Sequence, residues 1–332
     1  MANTIELEIY ADEVMNKKFL GFGCLFVPIN RKEELIKSLI KRRCQGKKEY
    51  FYWNFEDCPY NQNCKKEWHN LNNSEVHYTK IESTKSNALK NIALSWMDLI
   101  SKNCQNNKDM SYFKAVYLDL EKLDMEKFGK KEIENAYNRF FRSTILGGAK
   151  YFFNKHHNKI IINKIYHDKS HGKETHDFFP WHVGYKINLS GNSKLIVKNE
   201  DIIFVDSDHK VYLDNKEDLI NESQLIQFVD LFIGGSTQNI YNLSNDSFKK
   251  ELAMKIRPII KGLLEGNYSE CMRYSDYVTI SFFPKSSEMG LLQQLGKESL
   301  VFTAGKFYNK RKLEMLDYNP NQMDLDSWFK KE

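Results

Sequence analysis

Residues Ile5–Pro28, IELEIYADEVMNKKFLGFGCLFVP, decide how the chain is read. In Ile5–Ala11 apolar and polar residues alternate with the period of two that a strand imposes. Phe19–Val27 is an apolar run of strand length, ended by Pro28 and Asn30. The segment between the two is short and polar, so the pair predicts a β-hairpin. Arg31–Arg43 comes next, with Leu35, Ile36, Leu39 and Ile40 on one helical face. Downstream, Asn87–Leu99 reads as a second amphipathic helix, Phe113–Leu120 as a strand, Lys131–Phe153 as a long helix and Lys159–His167 as a strand. A short helix and a hairpin are expected in His171–Asn199. Asp201–Val205 is a strand ending in a turn at Asp206–Lys210. Glu222–Tyr241 and Asp246–Leu264 are helices, and strands and loops are expected from about Asn267. Hairpin, helix and then alternating strands and helices predict an α/β fold, a mixed sheet with helices on both faces. The polar, aromatic stretch 45–73 reads as an insertion.

The 332 residues suffice for one elaborated domain or two. A hydrophobic share of 41% with 14% aromatics excludes wholesale disorder, and 16 Gly with 6 Pro exclude a collagen-like or linker-dominated chain. Lys and Arg number 49 against 44 Asp and Glu, a net +5 that permits a nucleic-acid partner without demanding one. No apolar run reaches the ~18–20 residues of a membrane span. MANTIELEIYADE has acids where a secretory signal needs basic and apolar regions, so a cytoplasmic location is expected. Six cysteines are too sparse for a disulfide scaffold, and Cys24 reads as packing. Cys44, Cys58, Cys64 and His69 could form a zinc knot. No C-x-x-C pair frames them, and ordinary reduced thiols are the favoured reading.

The chemistry-bearing residues are acids at strand ends. Asp12–Glu13 come after the first strand, Asp168 after His167, and Asp206 after Val205. In α/β proteins such ends gather at one sheet edge, where ligand sites tend to lie. Asp230 interrupts the apolar stretch Leu225–Ile233, where a charge is costly unless paired or on a metal. Gln227 and Asp230, three apart, share a helix face. Gly234 beyond them would let the helix approach the sheet closely. Each residue also has a bland reading. Asp12 and Glu13 could turn the hairpin, Asp168 and Asp206 could be caps, and Glu75 could be a solvated loop acid. Asp230 could pair with a Lys or His. His77 could orient a ligand, bind phosphate or pack. Ser170 and Ser207 read as turn hydroxyls, since no triad pattern frames them. His156, His157, His167, His171, His176 and His182 make the middle of the chain histidine-rich.

In order along the chain, these segments resemble the domain-of-unknown-function 3800 family of the ribonuclease-H-like superfamily. Asp12–Glu13 match its opening acids, with Val14–Met15 in place of Ser-Gly. Gly21–Pro28 match its small-then-apolar strand, Glu75–Val76–His77 its Glu-x-His stretch, Asp168–Lys169–Ser170 its Asp-x-Ser, and Asp206–Ser207 its later turn. Gln227–Leu231 with Gly234–Gly235 match its closing Gln-x-x-Asp-Leu helix. The resemblance covers Ile5 to Tyr241. It implies one ribonuclease-H-like domain over 1–245, with the insertion and a C-terminal extension over 246–332. It also implies Mg²⁺ or Mn²⁺ held by Asp12, Glu75, Asp168 and Asp230 as metal-ligating and catalytic acids. Glu13, His77, Ser170, Asp206 and Gln227 would support them. Hard cations take oxygen ligands, and two ions ~3.5–4 Å apart can activate water and stabilise the leaving oxygen in phosphodiester cleavage.

Other motifs are thin. Gly21-x-Gly23 lacks the rest of a dinucleotide loop, and no P-loop, HExxH or deaminase signature occurs. Basic residues mixed with aromatics suit phosphate contacts and base stacking. Arg42, Arg43, Lys47, Lys48, Trp53, Lys65 and Lys66 are therefore the expected nucleic-acid contacts, although each cluster alone also suits a solvated helix face. The expectation is a divalent-metal-dependent nuclease, or a related phosphodiester-processing enzyme, acting on DNA or RNA. The alternative is a non-catalytic nucleic-acid-binding or interaction subunit of a prokaryotic defence or mobile-element system, with a protein partner.

Overall fold

The opening hairpin forms, but its first strand runs further than the alternation implied. In the computed structural model, which describes residues 3–44, 51–106, 108–121, 123, 125–128, 133–169, 173–178, 180, 182–190, 193–214, 217–265 and 274–283, strand β1 spans Thr4–Met15 and strand β2 Phe19–Pro28. They pair antiparallel, with Asp12 opposite Gly23 and Glu13 opposite Phe22. Asn16 makes the turn: its Oδ1 accepts the N–H groups of Lys18 (2.8 Å) and Phe19 (2.9 Å). Asp12 and Glu13 are thus strand residues and not turn formers.

Strand β3 (Tyr112–Asp119) pairs antiparallel with β2, and β4 (Lys159–Asp168) pairs parallel with β1 on the other side. Strands β5 (Leu195–Val197) and β6 (Ile202–Val205) both run parallel to β4, one along its first half and one at its end. Among the described residues of 171–199 the one strand, β5, pairs with β4 and not in the hairpin expected there. Strand β7 (Val278–Phe283) adds in parallel outside β3, completing a seven-stranded mixed sheet among the described residues.

Helices α1 (Ile29–Arg43), α2 (Lys66–Asn72), α3 (Asn87–Asn106), α4 (Ile133–Phe153), α5 (Val183–Leu189), α6 (Glu217–Tyr241), α7 (Ser247–Met254) and α8 (Arg257–Glu265) surround this sheet. Tyr10, Leu25, Phe113 and Tyr117 pack under α1, α3, α6, α7 and α8, against Leu35, Trp96, Phe228, Phe232 and Ile256. Ile9, Phe22, Phe26 and Leu118 pack under α4 and α5, against Tyr137, Phe140, Phe141 and Ile187. Helices cover both faces, as expected. The single helix expected over Asp246–Leu264 is two. Asp246 caps α7 by accepting from Phe248 and Lys249, and Pro258, lacking an N–H, falls in the first turn of α8, where it is tolerated. The described part of the 246–332 extension is built into the domain, because α7, α8 and β7 share its core and sheet. Among the described residues no helix is long and apolar enough to cross a membrane.

One irregularity sets which side chains meet. Between β1 and β4, Leu7 faces Ile162 but Glu8 faces Lys164, so Asn163 is an extra residue in β4. Ile160 and Ile162 belong to the core under α4, and after the bulge so does Ile165. A bulge changes the phase of alternation and re-aims the side chains beyond it. Tyr166 accordingly stacks on Tyr10 beneath α6 (centroids 4.9 Å), His167 turns to the α4 side, and Asp168 returns to the α6 side.

Helix α6 lies close over this edge. A Cβ on Gly23 would sit 2.9 Å from the Ile233 Cβ, and one on Gly234 would sit 2.2 Å from the Tyr78 ring. Gly234→Ala is therefore expected to destabilise the fold by about 1–3 kcal/mol through overpacking. Urea denaturation of wild type and variant measures this, and an unchanged midpoint would contradict the close approach.

Candidate metal centre

Three of the four acids expected to hold metal come together where β1, β4 and α6 meet. Asp12 and Asp168 come directly after the last paired residues of the two parallel strands, Ala11 and His167. Asp230 reaches them from α6, where the Asp12 carboxyl hydrogen-bonds to it. Asp12 and Asp230 are 8% and 6% exposed. One oxygen of Asp12 accepts the Glu13 N–H (2.8 Å) and one of Asp230 the Tyr78 N–H (2.6 Å), whereas the buried Oδ1 of Asp168 has no hydrogen-bond partner.

Three carboxyls in one buried place cannot all ionise cheaply. Burial, then Asp230, Asp168 and Glu13, holds the Asp12 carboxyl well above the usual range. Burial, then Asp230, Glu13, Asp206 and Glu75, pushes Asp168 up to about 8. Asp230 is raised by burial, against relief from His77 and the Tyr78 N–H. Among the described residues no Lys or Arg pairs with these three acids. The contrast lies a few residues back on the same face of β1. There Glu8 and Glu222 are also buried, but Lys32 bonds to both at 2.6 Å and Tyr10 donates between them. An all-oxygen donor set with an orphaned buried carboxylate oxygen fits Mg²⁺ or Mn²⁺.

Glu75 stands at the rim. Its Oε1 accepts from Ser207 (2.8 Å) and its Oε2 pairs with Lys80, so both oxygens are engaged. The segment carrying it is laid along α6 by two backbone bonds, Val76 N–H to Gln227 Oε1 (2.9 Å) and Tyr78 N–H to Asp230. Gln227 Nε2 also donates to the Ser207 carbonyl (2.6 Å). His77 Nδ1 lies 3.5 Å from Asp230 Oδ2, beside it but too far for a hydrogen bond. Asp206 pairs with Lys169 at 3.1 Å and accepts the Asp208 N–H, so it combines a rim position with its turn role. Ser170 lies outside the described residues.

The expected nucleic-acid contacts divide. Arg43 is a correction: it is fully buried, against the Trp96 ring, and its guanidinium binds Gln224, Gln227 and the carbonyls of Asn72 and Ser74. Burial draws that guanidinium down to about 9. Arg43 therefore positions the loop that carries Glu75. Arg42 is also turned inward, to the carbonyls of Ser95 and Ser38. Trp53 packs on His209 at the edge of the core (4.9 Å). Lys65 and Lys66 are exposed, Lys65 over the exposed Trp68 and Lys66 paired with Glu56. Lys47 and Lys48 lie outside the described residues. The cysteine set does not gather. His69 spends Nε2 on the Trp53 carbonyl (3.1 Å) and stacks on Phe51.

Glu13, expected to support the acids, points to the opposite face. There it meets His167, His176 and Tyr137, and the donor atoms of Glu13, His167 and His176 all lie within 4.8 Å of one another. This is the one group of three potential metal ligands so close among the described residues. The donor atoms of Asp12, Asp168 and Asp230 do not all lie within that distance of one another. Sequence reading missed the buried role of Arg43, the Lys32 network and the Glu13 group. Strict alternation after Asp12 would have separated Glu13 from it.

Comparison of the chain with protein families, curated proteins and solved structures finds no match in any of the three.

A carboxyl whose folded pKa is above its unfolded value, about 3.9, binds its proton more tightly when folded, so stability falls as pH rises through the interval. With Asp168 near 8, the melting temperature in EDTA should drop from about pH 4 to pH 8 more steeply in wild type than in Asp168→Asn. Mg²⁺ or Mn²⁺ should restore it at pH 8. Identical curves would remove the strained cluster. Separately, Arg43→Ala should cost about 3 kcal/mol or more by leaving buried amides and carbonyls unpaired, against about 0.5 or less for Lys66→Ala. Chemical denaturation compares them.

Proposed function

We propose that the chain is a divalent-metal-dependent nuclease, or a related phosphodiester-processing enzyme, of ribonuclease-H-like fold, acting on DNA or RNA. The observation that carries the reading is the meeting of Asp12, Asp168 and Asp230 with no Lys or Arg partner among the described residues, and with the Asp168 Oδ1 buried and unsatisfied. The mixed sheet with helices on both faces is compatible with that fold. Mg²⁺ or Mn²⁺ would supply an activated water and stabilisation of the leaving oxygen. The protein's part is to hold the three carboxylates, with Asp230 fixed by the Tyr78 N–H and the Glu75–Tyr78 segment fixed by Gln227 and Arg43. Two ions tolerate a wider spread of acids than one. Lys80 and Lys169 at the rim offer charge to a phosphate backbone.

The second reading, a non-catalytic subunit, draws on that same spread and on the engagement of Glu75 and Asp206 by lysines. Nuclease assays on single- and double-stranded DNA and RNA with Mg²⁺, Mn²⁺ or EDTA separate the two. Cation-dependent cleavage is expected. Asp12→Ala and Asp230→Ala should lose more than the ~10–100-fold that loss of an outer-shell partner such as Gln227 costs. Cleavage unaffected by either Asp substitution would reject the site. Binding of nucleic acid without cleavage of any substrate would favour the subunit.

A further inference from the structure

Glu13, His167 and His176 come from the end of β1, the end of β4 and the loop before α5. They gather on the α4 side of the sheet, away from Asp12 and Asp168. His167 is fully buried, His176 is 6% exposed, and Glu13 is half-buried and opens the group toward solvent. The hydrogen bonds fix which lone pairs face inward. His167 Nδ1 lies 2.7 Å from the Asp168 carbonyl, which can only accept, so Nδ1 carries the proton and Nε2 presents a lone pair to the group. That is the outer-shell arrangement by which a backbone carbonyl orients a metal-bound imidazole. The Nε2 of His167 is 3.5 Å from Glu13 Oε2. Two ligands on one tetrahedral zinc, with bonds of ~2.0–2.1 Å, stand roughly 3.3–3.4 Å apart.

The group is also short of protons. The Tyr137 hydroxyl has one, and it faces two acceptors, His167 Nε2 at 2.7 Å and Glu13 Oε2 at 3.1 Å. Whichever it bonds, a buried lone pair is left opposite a carboxylate oxygen. His176 Nε2 donates to Glu13 Oε1 at 2.6 Å, while its Nδ1 accepts the Phe178 N–H. A cation entering the group would replace the proton on His176 Nε2. That proton moves to Nδ1, giving the other neutral tautomer, and the Phe178 N–H gives up that acceptor.

We propose that Glu13, His167 and His176 form a second metal site for a borderline first-row divalent ion, Zn²⁺ in preference to Mg²⁺, with Tyr137 beside it. Two imidazole nitrogens and one carboxylate suit such an ion, whereas the oxygen-only cluster on the other face suits a hard one. The site is independent of the nuclease reading. An ion there would tie together the residues next to Asp12 and Asp168 in the two strands and set the spacing of those acids.

The test is metal content by mass spectrometry and the Co²⁺ absorption spectrum of the purified full chain. It compares wild type, His176→Gln, Glu13→Gln and, as a control on the opposite face, Asp230→Asn. One equivalent of Zn²⁺ is expected in wild type and Asp230→Asn, with a tetrahedral Co²⁺ band on substitution. Both should be lost in His176→Gln and Glu13→Gln, which retain a cooperative melt. Zn²⁺ added to metal-free wild type should raise its melting temperature, and added to His176→Gln should not. Metal lost in Asp230→Asn but kept in His176→Gln would assign the ion to the acids and overturn the proposal. No bound metal and no Zn²⁺-dependent shift in wild type would overturn it too, leaving the group a hydrogen-bonded clamp.

Discussion

Alternation along two neighbouring parallel strands governs the chemistry of this molecule. A strand sends successive side chains to opposite faces, so Asp12 and Glu13 cannot serve one site. The same holds for His167 and Asp168. The extra residue Asn163 keeps the two strands in step at their ends, placing Asp12 with Asp168 on the α6 side and Glu13 with His167 on the α4 side. Without it, β4 would present His167 to the acids and Asp168 to Glu13. One bulge therefore separates an oxygen-only group from a mixed nitrogen and oxygen group across the thickness of a single sheet.

The cost of buried charge shows which of the acidic groups is structural. Glu8 and Glu222 are buried as deeply as Asp12, yet Lys32 bonds to both and Tyr10 lies between them, and the set joins α1, β1 and α6. An uncompensated charge in such a place would cost several kcal/mol. The Asp12, Asp168 and Asp230 group forgoes that compensation. It relies on raised proton affinities and leaves one oxygen of Asp168 unsatisfied. The difference between the two acidic groups is thus the presence of Lys32 beside one and of shared protons in the other.

Much of the architecture was legible in the sequence because it rests on periodicity. The hairpin, α1, α3, α4, β3, β4, β6 and α6 are all marked by apolar spacing, and Asp230 stood out as a charge inside an apolar helix. Three kinds of feature were not legible. The extension of β1 through Met15 was hidden because Asp12 and Glu13 resemble turn residues, and only pairing with Gly23 and Phe22 makes them strand. The bulge at Asn163 leaves no local mark, since Asn and Lys in a strand also read as a solvated face. Arg43 lies in a basic cluster that reads as surface charge, and its burial depends on Gln224 and Gln227 far along the chain.

The burial of Arg43 changes where positive charge is available. The run Lys41–Arg43 reads as a single basic patch, yet its last residue is spent inside the molecule, bonded to the carbonyls of Asn72 and Ser74 and to Gln227. Through those contacts it fixes the backbone that carries Glu75 and His77. The loop at the acid cluster is thus anchored by a charge that solvent and salt do not reach. Two cations at the rim are Lys80 and Lys169, each held by an acid, Glu75 and Asp206. A polyanion approaching the cluster would meet those pairs first. Each lysine could exchange its carboxylate for a phosphate, and the freed Glu75 oxygen could then turn toward the same cations that Asp12, Asp168 and Asp230 are proposed to hold. Under the proposed reading, the engagement of Glu75 marks the substrate-free arrangement of a ligand and does not disqualify it.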